Sequence, residues 1–180
     1  IDGDPQGNVT EDDLGTPNSD RGASLAQTLQ YGAPLNPVRG VRPNIDVIAG
    51  GAALSMVSAS FHAMRENGID MAEHLQTQLE ALCAKEGYDL VLIDTAPGEV
   101  PLLDAFLAVA NYLIIPTKSD ESSFKGVEQL AKRFFAAQRN GASIKLLGVM
   151  LFGADKGAFR RNEDILDQLS EMLGNSGVDP

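Results

Sequence analysis

Thiols are nearly missing from this sequence: Cys83 is the single cysteine among 180 residues. One thiol closes no intramolecular disulfide and supplies too few ligands for a cysteine cage around zinc or an iron–sulfur cluster, so cofactors of that kind are excluded. Tryptophan does not occur at all. Also lacking are any apolar run of about 18 residues and a basic-then-apolar leader, so neither membrane insertion nor secretion is supported and the cytoplasm is the default compartment. Basic residues are few, 14 against 25 acidic ones, for a formal charge of −11. Such a chain repels polyanions on average, which confines any contact with DNA to a local basic patch. The two histidines, His62 and His74, have no serine or carboxylate arranged around them as a nucleophile–base pair, so hydrolases of the serine or cysteine type find no footing.

What is present is a length suited to one α/β domain, with short apolar runs alternating with longer segments of helical period. The runs Ile45–Ile48, Leu90–Ile93, Tyr112–Ile115 and Leu146–Phe152 read as strands of a mostly parallel sheet, buried on both faces beneath flanking helices. Asp70 with Glu73 forms a capping box, Ala72, Leu75, Leu79, Leu82 and Cys83 then share one face, and Gly87 supplies the stop. Phe124, Val127, Ala131, Phe134 and Phe135 line a second helix ending before Gly141, and Ile165, Leu166, Leu169 and Leu173 a third ending at Gly174. Further helices are expected over Leu25–Tyr31 and Ala53–Met64, separated by a surface loop from Gly32 to Pro43. No repeat or linker interrupts residues 1–180, which read as a single domain.

Ligands of open α/β sheets collect beyond the carboxyl ends of the strands. Asp2 and Asp4, two apart on an extended segment, point to one side. Asp94 ends the apolar run Leu90–Ile93 and precedes a turn through Thr95, Ala96, Pro97 and Gly98, the form of a Walker B strand. A carboxylate there can hold the waters of Mg²⁺ beside a bound phosphate, with the turn placed to sense that phosphate. An Asp at a strand end is also a common turn-former. Three carboxylates gathered without a cation would repel one another, however, which makes a metal the simpler account. Leu151-Phe152-Gly153-Ala154-Asp155 follows the last strand, where a base could lie against backbone.

The segments Asp2-Gly3-Asp4-Pro5-Gln6-Gly7-Asn8, Leu14-Gly15, Ile45-Asp46-Val47-Ile48, Tyr88-Asp89-Leu90-Val91-Leu92-Ile93-Asp94-Thr95-Ala96-Pro97, Ile114-Ile115-Pro116-Thr117 and Lys125-Gly126-Val127 together resemble the ParA family of plasmid and chromosome partitioning ATPases. The resemblance implies a P-loop NTPase-like fold of the deviant Walker A group, with ATP and Mg²⁺ as cofactors and an ATP-dependent homodimer. It also implies non-specific binding to DNA of the nucleoid and stimulation by a centromere-binding ParB-type partner. By position, Asp4 matches the switch I acid that orients the attacking water, Asp2 the acid before it near Mg²⁺, and Asp94 the Walker B acid. Thr95, Ala96, Pro97 and Gly98 match switch II, and Phe152 and Gly153 the passage beside the adenine. Lys156, Arg160 and Arg161 cluster where the family carries basic residues for DNA, although Glu163, Asp164 and Asp167 follow closely and favour a solvated helix start.

There are departures from the family pattern. Its glycine-rich loop, K-G-G-x-G-K-[ST], occurs nowhere in the 180 residues, so the chain reads as a fragment whose phosphate-binding loop lies upstream of Ile1 and which alone hydrolyses no ATP. Ala96 replaces a frequent proline and Gly3 a usual apolar residue. Two alternatives stand beside the partitioning reading. One is a non-enzymatic binding module that lost the loop. The other is a division-site ATPase similar to MinD, which would need an amphipathic membrane helix after Pro180; no membrane contact is expected on the partitioning reading.

Overall fold

The computed structural model describes residues 1–16, 19–96, 98–118 and 120–152. The helix expected over Ile165–Leu173 and the site candidates Pro97, Gly153, Lys156, Arg160 and Arg161 lie outside the described residues. The chain divides into two compact units, Ile1–Val109 and Ala110–Pro180.

In the first unit, β1 (Asp2–Gly3) runs parallel to β4 (Asp94–Thr95), with Asp2 opposite Asp94 and Gly3 opposite Thr95. The Ile1 nitrogen donates to the Leu92 carbonyl and the Asp94 N–H to the Ile1 carbonyl. A short π-helical turn, Val9–Asp13, follows β1. Helix α1 (Ala23–Tyr31), the antiparallel pair β2 (Val38–Arg42) and β3 (Ile45–Val47), α2 (Ala53–Glu66), α3 (Met71–Glu86) and α4 (Val100–Val109) complete the unit. Its core gathers Leu25 and Leu29 of α1, Leu54 and Val57 of α2, Leu75 of α3 and Leu102 and Phe106 of α4. The helices therefore meet through leucines at helical spacing, the pattern that folding by burial of one stripe requires.

The Asp70 cap is real: its Oδ1 accepts the N–H groups of Ala72 (2.9 Å) and Glu73 (3.3 Å), and Gly87 closes α3 in the left-handed conformation. The stripe behind it is shallower than expected. Leu75 is fully buried, but Ala72, Leu79, Leu82 and Cys83 are only partly covered. His62 is exposed, and His74 places Nδ1 3.0 Å from the Leu29 carbonyl at the α1–α3 boundary.

Two expectations are corrected and one helix is added. The stretch Gly32–Pro43 is not all loop: Val38–Arg42 pairs with Ile45–Val47 around Asn44, whose φ of 60° makes the turn. Arg39 ties this hairpin down, bonding Asp46 (2.9 Å), the Tyr88 hydroxyl (2.8 Å) and Glu86 (2.8 Å). Helix α4 had no counterpart in the sequence reading, because Val100–Val109 is apolar nearly all round and shows no one-sided stripe. Nor are the strand runs buried on both faces. Leu90 and Leu92 are 72% and 73% exposed, and the assigned ladder of that run begins only at Asp94.

In the second unit, β5 (Tyr112–Thr117) and β6 (Lys145–Leu151) form a parallel pair joined by α5 (Glu121–Arg139). Ile115 packs with Val127, while Tyr112, Ile114, Leu147 and Met150 are exposed. Successive strand residues face opposite ways, so α5 covers one face of the pair and the described residues leave the other open.

Candidate functional site

Parallel pairing of β1 with β4 sends both strands in one direction, so the segments following Asp2 and Asp94 emerge from the same edge. The approach of the strands depends on Gly3. A Cβ there would stand 2.5 Å from Phe106 Cε2 and 2.7 Å from the Asp94 carbonyl. The phenyl ring of α4 thus fills the space an apolar side chain would take, which gives the Gly3 departure a physical reason.

The loop beyond β1 is held almost atom by atom. Asp2 is fully buried. Its Oδ2 accepts the Thr10 hydroxyl (2.7 Å) and the Thr10 N–H (2.9 Å), and its Oδ1 accepts the Asp4 N–H (3.1 Å). The Asp4 carbonyl accepts the N–H groups of Gly7 and Gly51, each at 3.0 Å. Asp4 Oδ1 accepts the Gln6 N–H (2.7 Å), an Asx turn that aims the carboxylate. Asp4 Oδ2 makes no hydrogen bond among the described residues, which leaves one acceptor for a water or other donor.

Asp94 stands exposed at the tip of β4. Desolvation beside the strand edge, then the charges of Asp2 and Asp4, push its carboxyl above the ordinary value, against the Thr95 N–H bond. The physical content is an excess of negative potential at this corner, which a cation would relieve. Of the other switch II candidates, Thr95 lies exposed in the ladder opposite Gly3, and Gly98 turns the chain at φ 95° into α4.

The structure thus brings Asp2, Asp4 and Asp94 to one corner without presenting all three outward, since the Asp2 carboxylate is spent on donors of its own loop. No group of three Asp, Glu, His or Cys side chains among the described residues could cage a metal. Asp4 and Asp94 fit a hydrated Mg²⁺, an ion that keeps its waters and takes few protein ligands. A backbone cradle for a triphosphate is not found in the described residues. An open depression of about 320 Å³ lies against the loop, lined by Pro5, Gln6, Glu11, Arg21 and Ser55 among others, and neither Asp4 nor Asp94 lines it. Phe152 is 67% exposed, in the second unit, just past β6. Sequence reasoning missed Thr10, Gly50 and Gly51; the paired glycines after Ile48-Ala49 were the available signal.

A family model described as an AAA domain matches residues 1–146. The chromosome partitioning protein ParA of Caulobacter vibrioides is 30% identical over 159 residues, 87% of this chain and 58% of that protein. Protein IncC of Escherichia coli is 30% identical over 81 residues, 45% of this chain and 22% of its own length. The chain thus spans a little over half of the ParA it resembles. A Cyanothece McdA variant solved in complex with ATP shares the fold, with a TM-score of 0.75 over 97% of this chain and 66% of that one, at 19% identity. With the AAA model extending over both acid-bearing segments, which run side by side, the chain belongs to the ParA family of AAA-domain proteins.

Proposed function

We propose that the full-length protein is an ATP-dependent partitioning switch that dimerises on ATP, binds DNA without sequence preference and is stimulated by a ParB-type partner. The observation that supports this reading is the parallel register of Asp2 with Asp94, which lets the segments that carry Asp4 and Asp94 leave the strands at one edge. Mg²⁺, when bound there, would supply charge neutralisation at phosphate oxygens. The residues of the chain do the rest. Asp94 would hold the waters of the ion, and Asp4 would accept a hydrogen bond from the attacking water at Oδ2 while its Oδ1 stays fixed by Gln6. Thr95, Pro97 and Gly98 would carry the state of the nucleotide toward α4, Phe152 and Gly153 would border the base, and Lys156, Arg160 and Arg161 would contact DNA.

The test is Asp4→Ala in the full-length protein. ATP affinity should stay within about threefold, because no phosphate contact is removed, while turnover falls by about a hundredfold or more. Unchanged turnover refutes the assignment.

A further inference from the structure

Between Asp2 and the glycine corner that follows β3 stands one hydroxyl. Thr10 is fully buried, as is Asp2. Its Oγ1 donates to Asp2 Oδ2 (2.7 Å) and accepts the Gly50 N–H (3.0 Å). A carboxylate can only accept and a backbone N–H can only donate, so the group that joins them must do both. Among side chains small enough for this place, serine and threonine qualify. Gly50 carries no side chain for a related reason: a Cβ there would lie 2.5 Å from Asp2 Cγ.

The two anchors that Thr10 joins are the two that grip Asp4. Asp2 Oδ1 takes the Asp4 N–H, and the Gly51 N–H, one residue beyond Gly50, bonds the Asp4 carbonyl. Thr10 also holds the far end of the loop, since its carbonyl accepts the N–H (3.1 Å) and the hydroxyl of Thr16. We propose that Thr10 is a positioning residue for Asp4, closing a buried hydrogen-bonded ring with Asp2 and Gly50 that fixes the acid in its working place, and that Asp2 serves this ring instead of facing the cation. The inference rests on the reading of Asp4 as the water-orienting acid. Thr10 touches neither the reacting atoms nor the ion, and it acts through the backbone of Asp4. A buried charge with three donors is rigid because each lost donor leaves an unmet acceptor in low dielectric. That rigidity is what an acid orienting one water needs.

The experiment uses the full-length protein and compares Thr10→Val, Thr10→Ser and Asp2→Asn, with ATP affinity, KM, kcat and thermal midpoint measured for each. Valine keeps the shape and removes the hydroxyl. The expected result is a folded protein with ATP affinity within about threefold of the parent and kcat reduced about ten- to a hundredfold. Serine should restore kcat to within about threefold. A merely structural role would lower the thermal midpoint and leave kcat of the folded fraction unchanged, and that outcome overturns the proposal. So does a serine variant that is folded yet as slow as valine. If valine does not fold, Asp2→Asn carries the test, and unchanged turnover there overturns the proposal. Absence of ATP turnover in the unsubstituted protein defeats the ATPase reading itself, whereas an active parent with fully active variants defeats the positioning role alone.

Discussion

Asp94 pays for its position with an unwelcome charge. Its carboxyl titrates above the ordinary value because desolvation and the neighbouring Asp2 and Asp4 charges oppose ionisation. The native state therefore binds the proton more tightly than the unfolded chain, and the stability this gives is complete at acid pH and lost as pH rises through the native value. At neutral pH the ionised Asp94 weighs against folding. Asp94→Asn should accordingly raise the thermal midpoint at pH 7, with the gain shrinking toward zero below about pH 3, where carboxylates are protonated in both states. The same substitution should abolish the advantage that Mg²⁺ gives to nucleotide affinity in the full-length protein. Melting curves from pH 3 to pH 8 and binding with and without Mg²⁺ check the two halves. Equal melting at pH 7 would remove the repulsion, and equal Mg²⁺ dependence would remove the role.

At the scale of elements, what holds α3 is as much its ends as its side. Asp70 satisfies two orphan N–H groups and Gly87 supplies the left-handed exit, while one residue of the expected stripe is fully buried. Asp70→Ala should cost about 1 kcal/mol of unfolding free energy, measured by urea titration, with the midpoint moving and the slope unchanged. A loss below about 0.3 kcal/mol would assign α3 to packing alone. Elements of this kind were legible because their signals are local: a cap, a stop and a 3.6-residue period occupy adjacent positions. The hairpin β2–β3 and the helix α4 were not. The first depends on pairing across Asn44 and on Arg39 reaching Asp46, Tyr88 and Glu86, the last two more than forty residues away, and the second has no polar face to betray its period. The site divides in the same way. Asp4 and Asp94 announce themselves by their place after apolar or extended runs, but the inward turn of Asp2 follows from Thr10 and Gly50, and no spacing rule joins residues 2, 10 and 50.

Across the whole molecule, charge is distributed very unevenly. Residues 1–109 hold 16 acidic and 5 basic side chains, whereas residues 110–180 hold 9 acidic and 9 basic ones, with the basic excess confined to residues 110–152, 3 acidic against 6 basic. Of the latter, Lys118, Lys125, Lys132, Arg139 and Lys145 are exposed, and Lys132 is paired with Glu128 at 2.6 Å. A chain of formal charge −11 meets a polyanion favourably only where its local field reverses, so DNA contact on the proposed reading belongs to the unit that begins at Ala110, together with Lys156, Arg160 and Arg161. Binding of the ATP-loaded full-length protein to random-sequence duplex DNA should weaken linearly in log affinity against log salt, each phosphate contact adding about 0.9 to the slope. Replacing Arg139 and Lys145 by glutamate should lower affinity at low salt and flatten the slope by about one to two, evenly across sequences. Arg65→Glu, an exposed reversal on α2 in the acidic unit, should leave the slope as it was. If Arg65→Glu weakened binding as much as the pair did, charge alone would be the cause and no face would be singled out. If the pair left the slope intact while reversal of Arg160 and Arg161 flattened it, the contact would lie with those two arginines and not with residues 110–152.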